Sequence, residues 1–214
     1  MKKFFTLIAA VAIAASMNAQ GTYAVAEGDE VTAGKQITSV ANVTLTYMEN
    51  AGTAFAVGKA TSNWADADFT AYVCGVNNGK LVSGAEPTGC VYKFETVKAG
   101  SVTVGVQLGG TKGFHILDAD FVEVAPASYN LPAAKDGESQ KFTLNEKNEN
   151  IIAAKSNGIV TFNVAAGGTY YVLAAGTKMG FFGFKYTIGT GTGISSVNAA
   201  AAKKDGKTYN MAGQ

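Results

Sequence analysis

Apolar and polar residues alternate with a period of two along much of this chain. Val102, Val104, Val106 and Leu108 alternate with Ser101, Thr103, Gly105 and Gln107. Val160, Phe162 and Val164 alternate with Thr161 and Asn163, and Phe182, Phe184, Tyr186 and Ile188 with Gly183, Lys185 and Thr187. Such a period belongs to strands with one buried face and one wet face. Shorter runs predict strands over 43–48, 55–57, 69–74, 91–96, 114–117, 121–124, 140–144 and 170–174. Turn signals fall between them: Asn77-Asn78-Gly79, Ala99-Gly100, Gly109-Gly110, Lys135-Asp136-Gly137, Gly167-Gly168 and Ala175-Gly176. The body has no amphipathic helical period, which argues against a parallel α/β fold. The pattern predicts an all-β protein: a two-sheet antiparallel β-sandwich, jelly-roll-like, over residues 20–188.

One frame occurs twice. Phe94-Glu95-Thr96-Val97-Lys98-Ala99-Gly100 is followed by Gly110-Thr111-Lys112-Gly113-Phe114. Phe162-Asn163-Val164-Ala165-Ala166-Gly167 is followed by Gly176-Thr177-Lys178-Met179-Gly180-Phe181. Each copy reads strand, glycine turn, strand, glycine turn, strand. The expectation is one small antiparallel unit used in both halves of the domain, with Lys112 and Lys178 facing solvent. Composition agrees: the chain has 26 Gly but only 3 Pro, as expected of many tight turns rather than a disordered linker.

The ends read differently. Lys2 and Lys3 precede an apolar run from Phe4 to Ala15, and Met17-Asn18-Ala19 closes on a small residue. This is the pattern of a secretory signal peptide over 1–19, with cleavage before Gln20. The protein is then expected to be exported through the inner membrane, to the periplasm, cell surface or exterior, with no transmembrane segment after cleavage. Two lysines leave with the leader, so 15 basic residues face 16 acidic ones and the net charge is −1. That balance gives no electrostatic footprint for nucleic acid. Residues 189–214, opening on Gly189-Thr190-Gly191-Thr192-Gly193, read as a flexible linker and tail.

Two stretches carry a resemblance. Gly167 to Phe184, with Val91-Tyr92-Lys93-Phe94 and Gly100-Ser101-Val102-Thr103-Val104 before it, resembles a β-sandwich module of secreted Bacteroidetes proteins that is similar to carbohydrate-binding modules. In it, Gly167–Phe184 looks like the closing hairpin. Gly193-Ile194-Ser195-Ser196-Val197 with Tyr209-Asn210-Met211-Ala212-Gly213-Gln214 resembles the start of C-terminal tails on exported proteins of that phylum, in truncated form. The resemblance implies a non-catalytic module that binds polysaccharide or another glycan.

Candidate chemistry is sparse. A sugar ring stacks on an exposed aromatic face with polar side chains around it. Trp64, the only tryptophan, has Asn63 and Asp66 beside it, and Tyr72 is a further aromatic candidate. Trp64 either plugs one end of the core or offers its ring to a ligand. If it is the platform, Trp64→Ala abolishes retention on a polysaccharide gel.

His115 lies on the strand face opposite Phe114 and Ile116 and is expected to face solvent. A lone histidine makes a poor case for catalysis or zinc. Asp118, Asp120 and Glu123, and also Asp66 and Asp68, are weak calcium candidates, since calcium takes hard oxygen ligands from loops; no other cofactor is expected. Cys74 and Cys90 could form a disulfide in an oxidising compartment, worth about 3 kcal/mol. Strand parity turns Cys90 inward and leaves the side of Cys74 open. No nucleophile elbow or phosphate loop is present, so the protein is not expected to be an enzyme. The alternative to glycan binding is a structural or adhesive cell-surface protein that binds protein partners.

Overall fold

The structure, a computed structural model, describes residues 20–50, 52–59, 68–133 and 138–189. Among the described residues there are sixteen strands and no helix. In chain order they are β1 (Gln20–Ala24), β2 (Gln36–Ile37), β3 (Val43–Met48), β4 (Ala56–Lys59), β5 (Ala71–Cys74), β6 (Lys80–Val82), β7 (Ala85–Thr88) and β8 (Val91–Thr96). The second half holds β9 (Gly100–Leu108), β10 (Gly113–Leu117), β11 (Ser128–Asn130), β12 (Thr143–Leu144), β13 (Asn150–Ile151), β14 (Ser156–Val164), β15 (Thr169–Ala175) and β16 (Gly180–Ile188). Sheet I runs β11-β14-β9-β16-β5-β4, and β1 pairs with β16 beyond β5. Sheet II runs β12-β13-β10-β15-β8-β3-β2, and β6 with β7 forms a separate hairpin. The two large sheets are antiparallel throughout and pack face to face as the predicted β-sandwich.

The duplicated frame supplies the middle of both sheets, in a way that corrects the expected unit. Successive strands of a copy do not pair with each other. β8 and β10 lie in sheet II with β9 between them in sequence but in sheet I; β14 and β16 lie in sheet I while β15 lies in sheet II. Each glycine turn is therefore an arch from one sheet to the other, about 10 Å away. The stretch Gly167–Phe184 is likewise two arched strands rather than a closing hairpin: β15 pairs with β8 and β10, and β16 with β9, β5 and β1. The copies interlock. β9 sits between β14 and β16, and β15 sits between β8 and β10. The reason is the alternation itself. A strand with one apolar face needs an opposing apolar face, and the arch delivers the next strand of the same copy to that opposing sheet.

The apolar sets meet between the sheets. Phe94 from sheet II packs edge-on against Phe184 from sheet I, with ring centroids 5.3 Å apart, and Tyr92 stacks on Phe181 at 4.5 Å. Val102, Val104 and Val106 of β9 and Val160 and Phe162 of β14 complete this core. Lys112 and Lys178 are exposed, as expected. The predicted strand over 121–124 is instead a turn. Asp118 N–H donates to the Val122 carbonyl at 2.9 Å, Phe121 adopts φ of 62°, and Val124 N–H returns to the Ile116 carbonyl at 2.7 Å. The predicted Lys135-Asp136-Gly137 turn lies outside the described residues.

Candidate functional site

The outer face of sheet I carries an aromatic group over a glycine floor. Three glycines make the floor. A Cβ on Gly105 would lie 2.8 Å from Phe69 Cδ2 and 3.0 Å from Phe182 Cβ. A Cβ on Gly180 would lie 2.9 Å from Gln107 Cβ and 3.1 Å from Tyr72 Cδ2. Gly183, with φ of 134°, takes a backbone conformation that favours glycine. Phe69 and Phe182 are buried there although neither belongs to the inter-sheet core. Tyr72 packs on Phe182 with centroids 5.4 Å apart and rings tilted by 56°, and it remains half-buried.

Polar groups border these rings. Gln107 stands opposite both Asn157 and Gly180 across the ladder. Its Nε2 donates to Asn157 Oδ1 at 2.9 Å. Further along the same pair of strands, the Thr103 and Thr161 hydroxyls are 2.8 Å apart. Lys185 Nζ lies 5.5 Å from the centre of the Phe69 ring and 2.8 Å from Asp68 Oδ2. A half-exposed tyrosine beside amides, hydroxyls and an ammonium can stack on an apolar ring face while hydrogen-bonding hydroxyls around it.

Of the sequence-predicted ligand residues, Tyr72 is on this face. Asn63, Trp64 and Asp66 lie outside the described residues. Gln107, Asn157, Gly105 and Phe182 carry no local signal of a site. The period of two puts Gln107 and Gly105 on the wet face of their strand, and that is where they are. The same period groups Phe182 with the inward set Phe184, Tyr186 and Ile188, and here the structure differs. A register shift in the β16–β9 ladder between Phe181 and Gly183 inserts one residue. Phe181 and Phe184 therefore point into the core, and Phe182 turns outward.

The outer face of sheet II corrects the expectation for His115. It does stand opposite Phe114 and Ile116, but it is buried, at 3% exposure. Val91, Leu117, Tyr171 and Leu173 form a small apolar cluster on this face, with Met48 and Phe121 packed against it, so the 118–124 turn folds over the strand that carries His115. His115 Nδ1 contacts Glu123 Oε1 at very short range, and Nε2 is 3.7 Å from Glu149 Oε1 without a hydrogen bond. Glu149 Oε2 instead accepts from Asn145 Nδ2 at 2.6 Å.

The calcium candidates divide here. Asp118 Oδ1 accepts the backbone N–H groups of Asp120 and Val122 at 3.0 and 2.9 Å, while Glu123 turns to His115 and Asp120 stays exposed. Among the described residues no group of three His, Cys, Asp or Glu side chains is placed to hold a metal ion.

Cys74 and Cys90 are free thiols, and each shifts the pKa of the other. Along β5, Ala71 and Val73 face the core and Tyr72 the outer side, and Cys74 at the strand end is half-buried. Cys90 is fully buried and points inward with Tyr92, as predicted. Gly75 N–H reaches Cys90 Sγ at 3.3 Å, and the Tyr92 hydroxyl lies 3.4 Å from the same sulfur. The neighbouring Cys74 thiol first, then the Tyr92 hydroxyl and backbone groups, favour the Cys90 thiolate and lower its pKa to about 6 against the effect of burial. The Cys74 thiol is pushed up, first by Cys90 and then by burial.

No protein-family model matches the chain, and no curated protein matches it.

Proposed function

We propose that this is an exported, non-catalytic β-sandwich module that binds glycan on the outer face of sheet I. The observation that carries the reading is Tyr72: a half-buried ring held on Phe182 and Gly180, beside the Gln107–Asn157 amide pair. Sugar C–H faces stack on such a ring, and the amides offer both donors and acceptors to hydroxyls. The leader pattern of residues 1–19 supports export.

The test is retention in a native gel cast with polysaccharide. Tyr72→Ala is expected to weaken retention by about tenfold or more, equivalent to roughly 1.4 kcal/mol of binding. The variant stays folded, because it gives up one aromatic contact worth about 1 kcal/mol. Wild-type retention that survives this substitution would remove Tyr72 from the site.

A protein-binding, adhesive role is the second reading. Val76, Leu81 and Val82 favour it: they are 51%, 43% and 41% exposed along and just before the β6–β7 hairpin. Exposed aliphatic side chains suit a protein partner better than a sugar. Pull-down of a defined partner that Leu81→Lys abolishes, with no glycan retained, would favour this reading over the first.

A further inference from the structure

We propose that Cys74 and Cys90 close into a disulfide that staples sheet I to sheet II. Cys74 ends β5 in sheet I, and Cys90 immediately precedes β8 in sheet II. Gly75, the residue after Cys74, donates its N–H to Cys90 Sγ at 3.3 Å, so the end of β5 lies directly against Cys90. Gly75 lets them meet: a Cβ there would stand 2.8 Å from Cys90 Cβ and 3.0 Å from its Sγ. The surroundings hold Cys90 in place, since its sulfur also lies 3.4 Å from the Tyr92 hydroxyl, which donates to the Met179 carbonyl at 2.7 Å.

The step needs an oxidant of the disulfide class. Cys74 is the more accessible sulfur, while Cys90 has no exposed surface. As its thiolate, Cys74 attacks the oxidant's S–S bond, releases one thiol and becomes a mixed disulfide. The Cys90 thiolate then attacks Cys74 Sγ and releases the second thiol. One Sγ–Sγ bond forms, the oxidant's S–S bond breaks, and two electrons and two protons pass from the protein to the oxidant. The product closes the 74–90 loop, which carries the β6–β7 hairpin. It also pins the end of β5 two residues beyond Tyr72. The inference does not depend on what the outer face of sheet I binds.

The test uses the purified protein, first reduced, then incubated natively with oxidised glutathione. Alkylation in denaturant and mass spectrometry follow. The expected result is the loss of two hydrogens, no alkylated thiol, a cross-linked Cys74–Cys90 peptide, and a Tm raised by roughly 5–10 °C. Cys74→Ser keeps the buried Cys90 and the fold, and its Tm should not respond to the oxidant. Two alkylated thiols, or a lasting glutathione adduct on Cys74, would overturn the proposal. An equal Tm rise in Cys74→Ser would overturn it as well.

Discussion

Gly105 decides what the outer face of sheet I can hold. It lies midway along β9, where a side chain would ordinarily strengthen the strand, and glycine there is costly unless something approaches closely. Phe69 and Phe182 are what approach. Gly105→Val is expected to force both rings off the floor and destabilise the fold by about 1–3 kcal/mol, with weaker retention by polysaccharide. A urea midpoint equal to wild type would show that the rings do not need this space. Gly105 is legible as a wet-face position, because the period of two is unbroken along β9. Its role as a floor is not, because the two phenylalanines come from residues 36 and 77 positions away. His115 teaches the same lesson from the other sheet. Its strand face is readable from Phe114 and Ile116, but its burial comes from the 118–124 turn folding back, and the local pattern around 114–116 does not encode that.

At the scale of elements, the arches tie the two copies of the duplicated frame together. Thr96, in the turn region of the first copy, sends its hydroxyl 2.7 Å to the Ala165 carbonyl in the turn of the second, with the Gly168 carbonyl at 3.2 Å. Tyr186 Oη donates to the Lys98 carbonyl at 2.7 Å, again across copies. Thr96→Val keeps the shape and removes the hydroxyl. It is expected to cost about 1 kcal/mol in urea unfolding, since the Ala165 carbonyl loses its donor; an unchanged midpoint would mean the arches do not depend on it. The long strands β3, β8, β9, β14 and β16 are readable because alternation over six or more residues fits a half-buried strand and does not fit a helical face. Two features are not. Direct pairing and arching both leave a glycine turn between two alternating strands, so the frame alone does not distinguish a hairpin from a crossover. The bulge at Phe181–Gly183 shifts parity by one, which inverts every inward assignment before it on β16.

Over the whole molecule, several tyrosines are buried, and this sets a pH limit. Burial raises the pKa of Tyr23, Tyr47, Tyr92 and Tyr186, and it raises Tyr171 to about 12, with Glu86 adding to the effect. The folded pKa values lie above the unfolded value of 10.0, so the neutral phenols are favoured by folding. Their contribution is complete below about pH 10 and is lost as pH rises from there through the folded values. Urea midpoints are therefore expected to fall above about pH 10, with tyrosinate absorbance rising together with unfolding. Independent titration of these tyrosines near their ordinary value, with the fold intact, would contradict this. The fold class is legible from alternation, glycine turns and the lack of a helical period, because those features constrain every layer of a sandwich at once. The proposed binding face is only partly legible, as Tyr72 alone among its described residues stands out in sequence.

The most direct test of glycan binding is a glycan array probed with the wild-type protein and with Tyr72→Ala side by side. The expected result is wild-type signal on a related set of glycans, reduced about tenfold or more in Tyr72→Ala while its urea midpoint stays near wild type. No wild-type signal on any glycan, from protein shown to be folded, would contradict the account.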